Sequence, residues 1–232
     1  MAPQQQLKYQ MYRKEELAKE FRKCFPDWTE ERIEEHAAFL ASKFTTLRKG
    51  PNVVHFTYYG RFIDQADLKE IEQKLQQAGL DLSHFDKVNA PYQAIRNCSL
   101  DHALHLKPPI IQLILDNSGN NAVWNSLKET TLSIWHKLSS RHWNPASLTE
   151  NERTYNFGLR LISDFGSNNL ILPAYANEHQ ITAALDQVIG FLQAAENQKE
   201  RPDLAKHFLF DEEKMEWLEI DLHLHDTANN CR

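Results

Sequence analysis

Glycine is spread so thinly through this chain that whole classes of phosphate site are closed to it. The 232 residues hold seven, Gly50, Gly60, Gly79, Gly119, Gly158, Gly166 and Gly190, and no two stand closer than eight positions. Loops that cradle phosphates need glycines a few residues apart, so that the backbone turns sharply and its N–H groups reach the anion. Neither a dinucleotide-binding fingerprint nor a Walker A loop can be written anywhere in this sequence. Enzymes built on those loops are therefore excluded.

The remaining bulk properties set a frame. A hydrophobic content of 41% fills a core, and 25% charged residues suit a water-exposed surface. A net charge of -6 opposes the basic stripe that a nucleic-acid backbone requires. No apolar run approaches the roughly 20 residues that span a bilayer. The first residues carry no basic-then-apolar leader pattern. Cys24, Cys98 and Cys231 are odd in number and far apart, which points to free thiols in a reducing compartment, the cytoplasm, and excludes a CxxC zinc knuckle.

Local patterns then give an order of elements. Leu17, Phe21 and Phe25 recur every four residues before Pro26, and predict a first helix over Lys14 to Phe25. Asp27 followed by Glu30 reads as the cap of a second helix, whose seam is Ile33, Ala37, Leu40, Phe44 and Leu47. Val53 to Phe62, rich in β-branched and aromatic residues, reads as a strand. Asp64 caps a helix with Leu68, Ile71 and Leu75 on one face, closed by Gly79. Residues 80 to 107 read as loop with short helical turns. Ile110 to Leu115 fits a buried strand or the opening of the next helix. Asn120 or Asn121 caps a helix bearing Trp124, Leu127, Ile134, Trp135 and Leu138. Tyr155 to Ser163 and Asn169 to Leu172 flank a turn-rich stretch and predict a hairpin. A helix over Asn177 to Asn197 and a second hairpin, His207 to Phe210 with Met215 to His225, complete the chain.

This order predicts an α+β fold: a mixed, largely antiparallel sheet covered by helices, with an N-terminal helical hairpin over residues 1–50. The expectation is one domain over residues 1–232, and the stretch 142–152 is where an internal boundary would fall.

Several short motifs carry chemistry. In Asp221-Leu222-His223-Leu224-His225-Asp226, the two-residue period of a strand puts Asp221, His223 and His225 on one face. The string is similar to the opening motif of metal-dependent phosphoesterases of the polymerase-and-histidinol-phosphatase type, and to the HxH of amidohydrolases. That resemblance implies a zinc or manganese site on Asp221, His223 and His225. The same letters also suit an amphipathic edge strand.

His55-Phe56-Thr57, after two valines, resembles one half of the two-histidine phosphoesterase pattern, in which His and Thr on one strand face grip a phosphate and each histidine serves in turn as acid or base. The pattern calls for a second copy, and His225-Asp226-Thr227 supplies its letters 170 positions on. Pro202-Asp203 with Glu212-Glu213-Lys214 resembles the PD…ExK core of magnesium-dependent nucleases, but the later residues fall where a solvated hairpin turn is expected. Asp101, His102 and His105 would converge if their stretch were helical, but without an apolar helical pattern they read as loop polarity. Phe21, Phe25-Pro26 and Ile33 echo the spacing of ubiquitin-binding CUE modules.

Two functional expectations follow. The first is a non-catalytic accessory protein of the cytoplasm, such as those of bacterial multi-gene systems. It would bind another protein or a second copy of itself through the N-terminal helices, with no membrane or nucleic-acid partner and no cofactor. The second is a metal-dependent or histidine-based phosphoesterase using His55 and Thr57 with His223 and His225, with zinc or manganese as its metal.

Overall fold

The computed structural model describes residues 10–11, 14–43, 48–87, 100–116, 121–142, 157–163, 166–173, 176–197 and 205–220. Its opening part holds β1 (Gln10–Met11), α1 (Lys14–Cys24), α2 (Glu30–Lys43) and β2 (Arg48–Lys49). Three units of strand, helical crossover and strand follow. They are β3 (Val53–Tyr58), α3 (Gln65–Gln77) and β4 (Asp81–Asp86); then β5 (His102–Leu106), α4 (Pro108–Asp116), α5 (Ala122–His142) and β6 (Phe157–Ser163); then β7 (Gly166–Leu172), α6 (Glu178–Asp186), α7 (Val188–Asn197) and β8 (Lys206–Asp211). The last strand is β9 (Glu216–Ile220).

Seven strands form one mixed sheet in the order β4-β3-β5-β6-β7-β8-β9, and parallel and antiparallel junctions alternate across it. Each unit contributes a parallel pair, and adjacent units meet antiparallel. The α+β class with an N-terminal helix pair is therefore realised. Among the described residues, no helix is long and apolar enough to cross a membrane.

The period of two divides the sheet into unlike faces. On one face Val54, Phe56 and Tyr58 join Leu104, Leu106, Leu159 and Leu170 in the main core, covered by α3, α4, α5, α6 and α7. On the other face a smaller cluster of Leu17, Ala18, Ile33, Ala37 and Leu40 packs α1 and α2 together, with Phe85 of β4 against it. Farther along that face Leu100, Ala103 and Ile171 form a third cluster, flanked by Leu209 and Ile220.

Capping follows the sequence closely. Asp64 accepts from the Asp67 N–H at 2.9 Å while Asp67 accepts from the Asp64 N–H at 2.9 Å, a reciprocal box that fixes the start of α3. Gly79, at φ 73, closes it. Asn121 Oδ1 accepts from the Trp124 N–H at 2.9 Å and starts α5. At α2 the capping oxygen belongs to Thr29 rather than Asp27, accepting from the Arg32 N–H at 3.3 Å.

Two expectations change, and one open alternative resolves. Residues 81–86 and 102–106 are strands, not loop, because both pair with β3 along its whole length or half of it. Residues 110–115 lie in a helix, which Pro108 and Pro109 open in the position where a missing N–H costs nothing. The single helix over 177–197 is two, interrupted at Gln187, whose side-chain Nε2 donates to the Met215 carbonyl at 2.8 Å. Phe44, Leu47, Cys98, Cys231 and the stretch 143–152 lie outside the described residues.

Candidate functional site

The face of the sheet opposite the main core carries a line of polar side chains. His55 and Thr57 alternate with Val54, Phe56 and Tyr58, so when the latter enter the core the former point away from it. Register then determines their neighbours. His55 lies directly opposite His105 on antiparallel β5 and beside Ser83 on β4. His105 is paired in turn with Arg160 on β6, Arg160 with Asn169 on β7, and Asn169 with His207 on β8. One register line thus runs Ser83, His55, His105, Arg160, Asn169, His207.

The center of interest is the pair of imidazoles. Directly opposed residues in an antiparallel ladder have Cβ atoms roughly 4.5–5.5 Å apart. Thr57 Oγ1 and His105 Nε2 share a hydrogen bond of 3.0 Å across the strands, which orients the His105 ring. The His55 Nε2 atom is buried and meets no hydrogen-bond partner among the described residues. His55, Thr57, His105 and Arg160 each retain partial exposure. His207 is three strands from His105, about 14 Å at the usual strand spacing, and its Nδ1 contacts Asn169 Nδ2 at 3.3 Å instead.

The electrostatics around the pair have one sign. Burial, with a contribution from the Lys107 ammonium, pushes the His55 imidazole down to about 4. Burial first, then Arg160, His55, Lys87 and Lys107, pushes His105 down to about 3. Among the described residues, the charged groups that act most on the two rings are cations. Lys107 itself is lowered by burial and by Lys49, and Glu20 of α1 acts in the other direction. Lys87 is buried and donates to the Leu100 carbonyl at 2.7 Å. Both imidazoles are therefore neutral at pH 7, in a positive local field.

The strands carrying the pair are themselves related. Because β3 and β5 run antiparallel, and each leads through a helical crossover on the same face to a parallel partner, the unit β3–α3–β4 matches β5–α4–α5–β6 by a half-turn about an axis between His55 and His105. Two matching strand–helix–strand lobes are thus present, with one histidine from each facing the other.

Of the residues singled out in the sequence, His55 and Thr57 are brought together, with His105 as the neighbour. Asp221, His223, His225 and Thr227 lie outside the described residues, as do Pro202 and Asp203. Glu212, Glu213 and Lys214 sit in the turn between β8 and β9, where Asp211 Oδ1 accepts from the Glu213 and Lys214 N–H groups at 3.0 and 2.9 Å. His102 and His105 do not converge: three apart on a strand, they face opposite sides of the sheet. His102 is fully buried, its Nδ1 accepts from the Tyr59 N–H at 3.4 Å, and its ring meets Tyr59 and Phe62 edge-on. Among the described residues, no group of three His, Cys, Asp or Glu side chains could hold a metal ion.

Sequence reasoning groups His105 with Asp101 and His102 rather than with His55, because residues 80 to 107 read as loop and the pairing of β5 with β3 is not visible in the chain. A signal was present, since Leu104-His105-Leu106 repeats the apolar–His–apolar pattern of Val54-His55-Phe56. No protein-family model, curated protein or solved structure matches the chain.

Proposed function

We propose that the second face of the sheet binds a phosphate ester and hydrolyses it, with His55 and His105 as its proton-transfer pair. The observation that carries this reading is the direct opposition of the two imidazoles on antiparallel strands, with Thr57 bonded to one of them and Arg160 next in register. A phosphoryl group above the pair meets a guanidinium, the Lys107 ammonium and a hydroxyl, which suits its charge and its acceptor oxygens. Its negative charge opposes both the burial and the nearby cations that hold the imidazoles low, so that one of them gains a proton in the complex. The neutral ring then takes a proton from the attacking water as the new P–O bond forms. The protonated ring gives its proton to the leaving oxygen as the old P–O bond breaks. Water is consumed, an alcohol and a phosphate are released, and the ring that began neutral ends charged while the other ends neutral, until the pair exchanges a proton with solvent.

The accessory-protein reading has less behind it. The seam meant for a partner is used within the chain, with Leu17, Ala18, Ile33, Ala37 and Leu40 all buried.

The test is hydrolysis of 4-nitrophenyl phosphate and bis(4-nitrophenyl) phosphate by the full chain in the presence of EDTA. The expected result is turnover of one of them, reduced about a hundredfold or more in His55→Ala and in His105→Ala. No turnover of either ester, or variants as active as the parent, would overturn the reading.

A further inference from the structure

A second concave site lies on the other face, at the margin of the sheet. Helix α3 presents Gln65, Leu68, Lys69 and Glu72 at positions i, i+3, i+4 and i+7, a single stripe along the helix. Opposite it, β4 turns Leu82 and His84 to the same side, two residues apart. Because β4 is the edge strand, the space between it and α3 opens outward. Arg48 of β2 closes one end. The result is a cleft of about 300 Å³, at the small end of the range that ligand pockets occupy.

The lining has a consistent chemistry. Leu68 and Leu82, 4% and 3% exposed, give an apolar floor. Arg48 and Lys69 bring two positive charges, and Glu72, 3.5 Å from Arg48 Nη1, brings one negative charge. His84 is held by a 3.3 Å contact between its Nδ1 and the Tyr58 hydroxyl, and burial and Arg48 keep its imidazole below the ordinary value. The formal sum over the charged side chains is one positive charge.

We infer that this cleft binds a small carboxylate with an apolar body, its carboxylate held by Arg48 and Lys69 and its hydrocarbon part laid on Leu68 and Leu82. A monoanion matches the single excess charge. Inorganic phosphate would leave the leucine floor uncovered. An amine would bring a third cation to the two already there, with only Glu72 to receive it. The site is separate from the His55–His105 pair, which faces the opposite side of the sheet, and does not depend on the reading given to that pair.

The experiment uses the full chain and three probes, hexanoate, hexylamine and inorganic phosphate, each titrated while the backbone amide resonances of residues 65–72, on the face away from the His55–His105 pair, are followed. Hexanoate is expected to bind saturably and shift these resonances, hexylamine and phosphate to bind more weakly. Arg48→Gln and Lys69→Ala should each weaken hexanoate about tenfold, the scale of one charge-assisted hydrogen bond. Lys69 is exposed on its helix, so Lys69→Ala keeps the fold and decides the question even where Arg48→Gln does not fold. His55→Ala should leave hexanoate binding unchanged. The proposal is overturned by the absence of saturable hexanoate binding, by phosphate or hexylamine shifting the residue 65–72 resonances with equal affinity, or by Lys69→Ala binding hexanoate like the parent.

Discussion

Taking the protein from pH 7 to pH 4.5 should cost the folded state several kcal/mol. The cause is the imidazole pair. His55 at about 4 and His105 at about 3 are both below the 6.5 of an exposed histidine. Between those values and pH 6.5 the unfolded chain binds more protons than the folded one, so stability rises with pH across that window. The contribution is complete above about pH 6.5 and is lost as the pH falls toward 4 and then 3. Each group contributes on the order of 2 kcal/mol by pH 4.5, and the two together about 3–5 kcal/mol. That is a large share of the roughly 5–15 kcal/mol that holds a typical domain together. Glu70, held down to about 2 chiefly by its hydrogen bond to Lys137, and Asp67, lowered by the Asp64 N–H, Arg141 and Lys137 against the opposing effect of burial, act in the same direction at lower pH. Urea unfolding at pH 7.5, 6.5, 5.5 and 4.5 measures the slope. His105→Gln should make it markedly shallower between pH 6 and 4.5. Equal stability of the parent protein at pH 7 and 4.5 would show that the pair is not held neutral by the fold.

Substituting Gly158 should be the most damaging single change in the sheet. This residue lies in β6, between Ala103 of β5 and Ile171 of β7 in register. A Cβ there would stand 1.8 Å from the Leu170 carbonyl oxygen, 2.9 Å from its carbon and 3.3 Å from the Ile171 Cα. All three are backbone atoms of the adjacent strand, so no side-chain rotation relieves the contact. β6 and β7 would have to separate, and their separation also displaces Arg160 from its place beside His105. Gly158→Ala should cost about 3 kcal/mol and Gly158→Val should prevent folding. Gly190 supplies the contrast: it is helical, and nothing lies within 4 Å of the place a methyl group would take. Gly190→Ala should therefore be neutral or stabilising by up to about 1 kcal/mol. Far-UV circular dichroism and urea midpoints of the three variants decide the matter. A Gly158→Ala midpoint equal to that of the parent would contradict the close approach of the two strands.

The parts of the fold legible in the sequence are those whose local signals agree with their tertiary surroundings. β3 reads as a strand because Val53, Val54, Phe56 and Tyr58 favour extended backbone and are all buried there. The start of α3 reads correctly because its cap is made by side chains within four residues. The strands β4 and β5 were not legible. Asp81-Leu82-Ser83-His84-Phe85-Asp86 has one side against the α3 cleft and the other toward α1 and α2, so polar and apolar residues occur on both sides and the period of two is lost. His102-Ala103-Leu104-His105-Leu106 is buried at four of its five positions, with a histidine on each face. What makes these segments strands is pairing with β3, a partner remote in sequence. The histidine pair shares that origin: His55 and His105 are 50 positions apart, and only the antiparallel register of β3 and β5 sets them face to face.

The central claim, that His55 and His105 form one anion-responsive site, is tested most directly by following their ring C–H resonances through a pH titration, with and without saturating inorganic phosphate. In the free protein the two rings should titrate near 4 and near 3, and phosphate should move both upward, together with shifts at Thr57 and Arg160. Rings that titrate near 6.5 in the free protein, or whose titration is the same with phosphate as without it, would contradict the account.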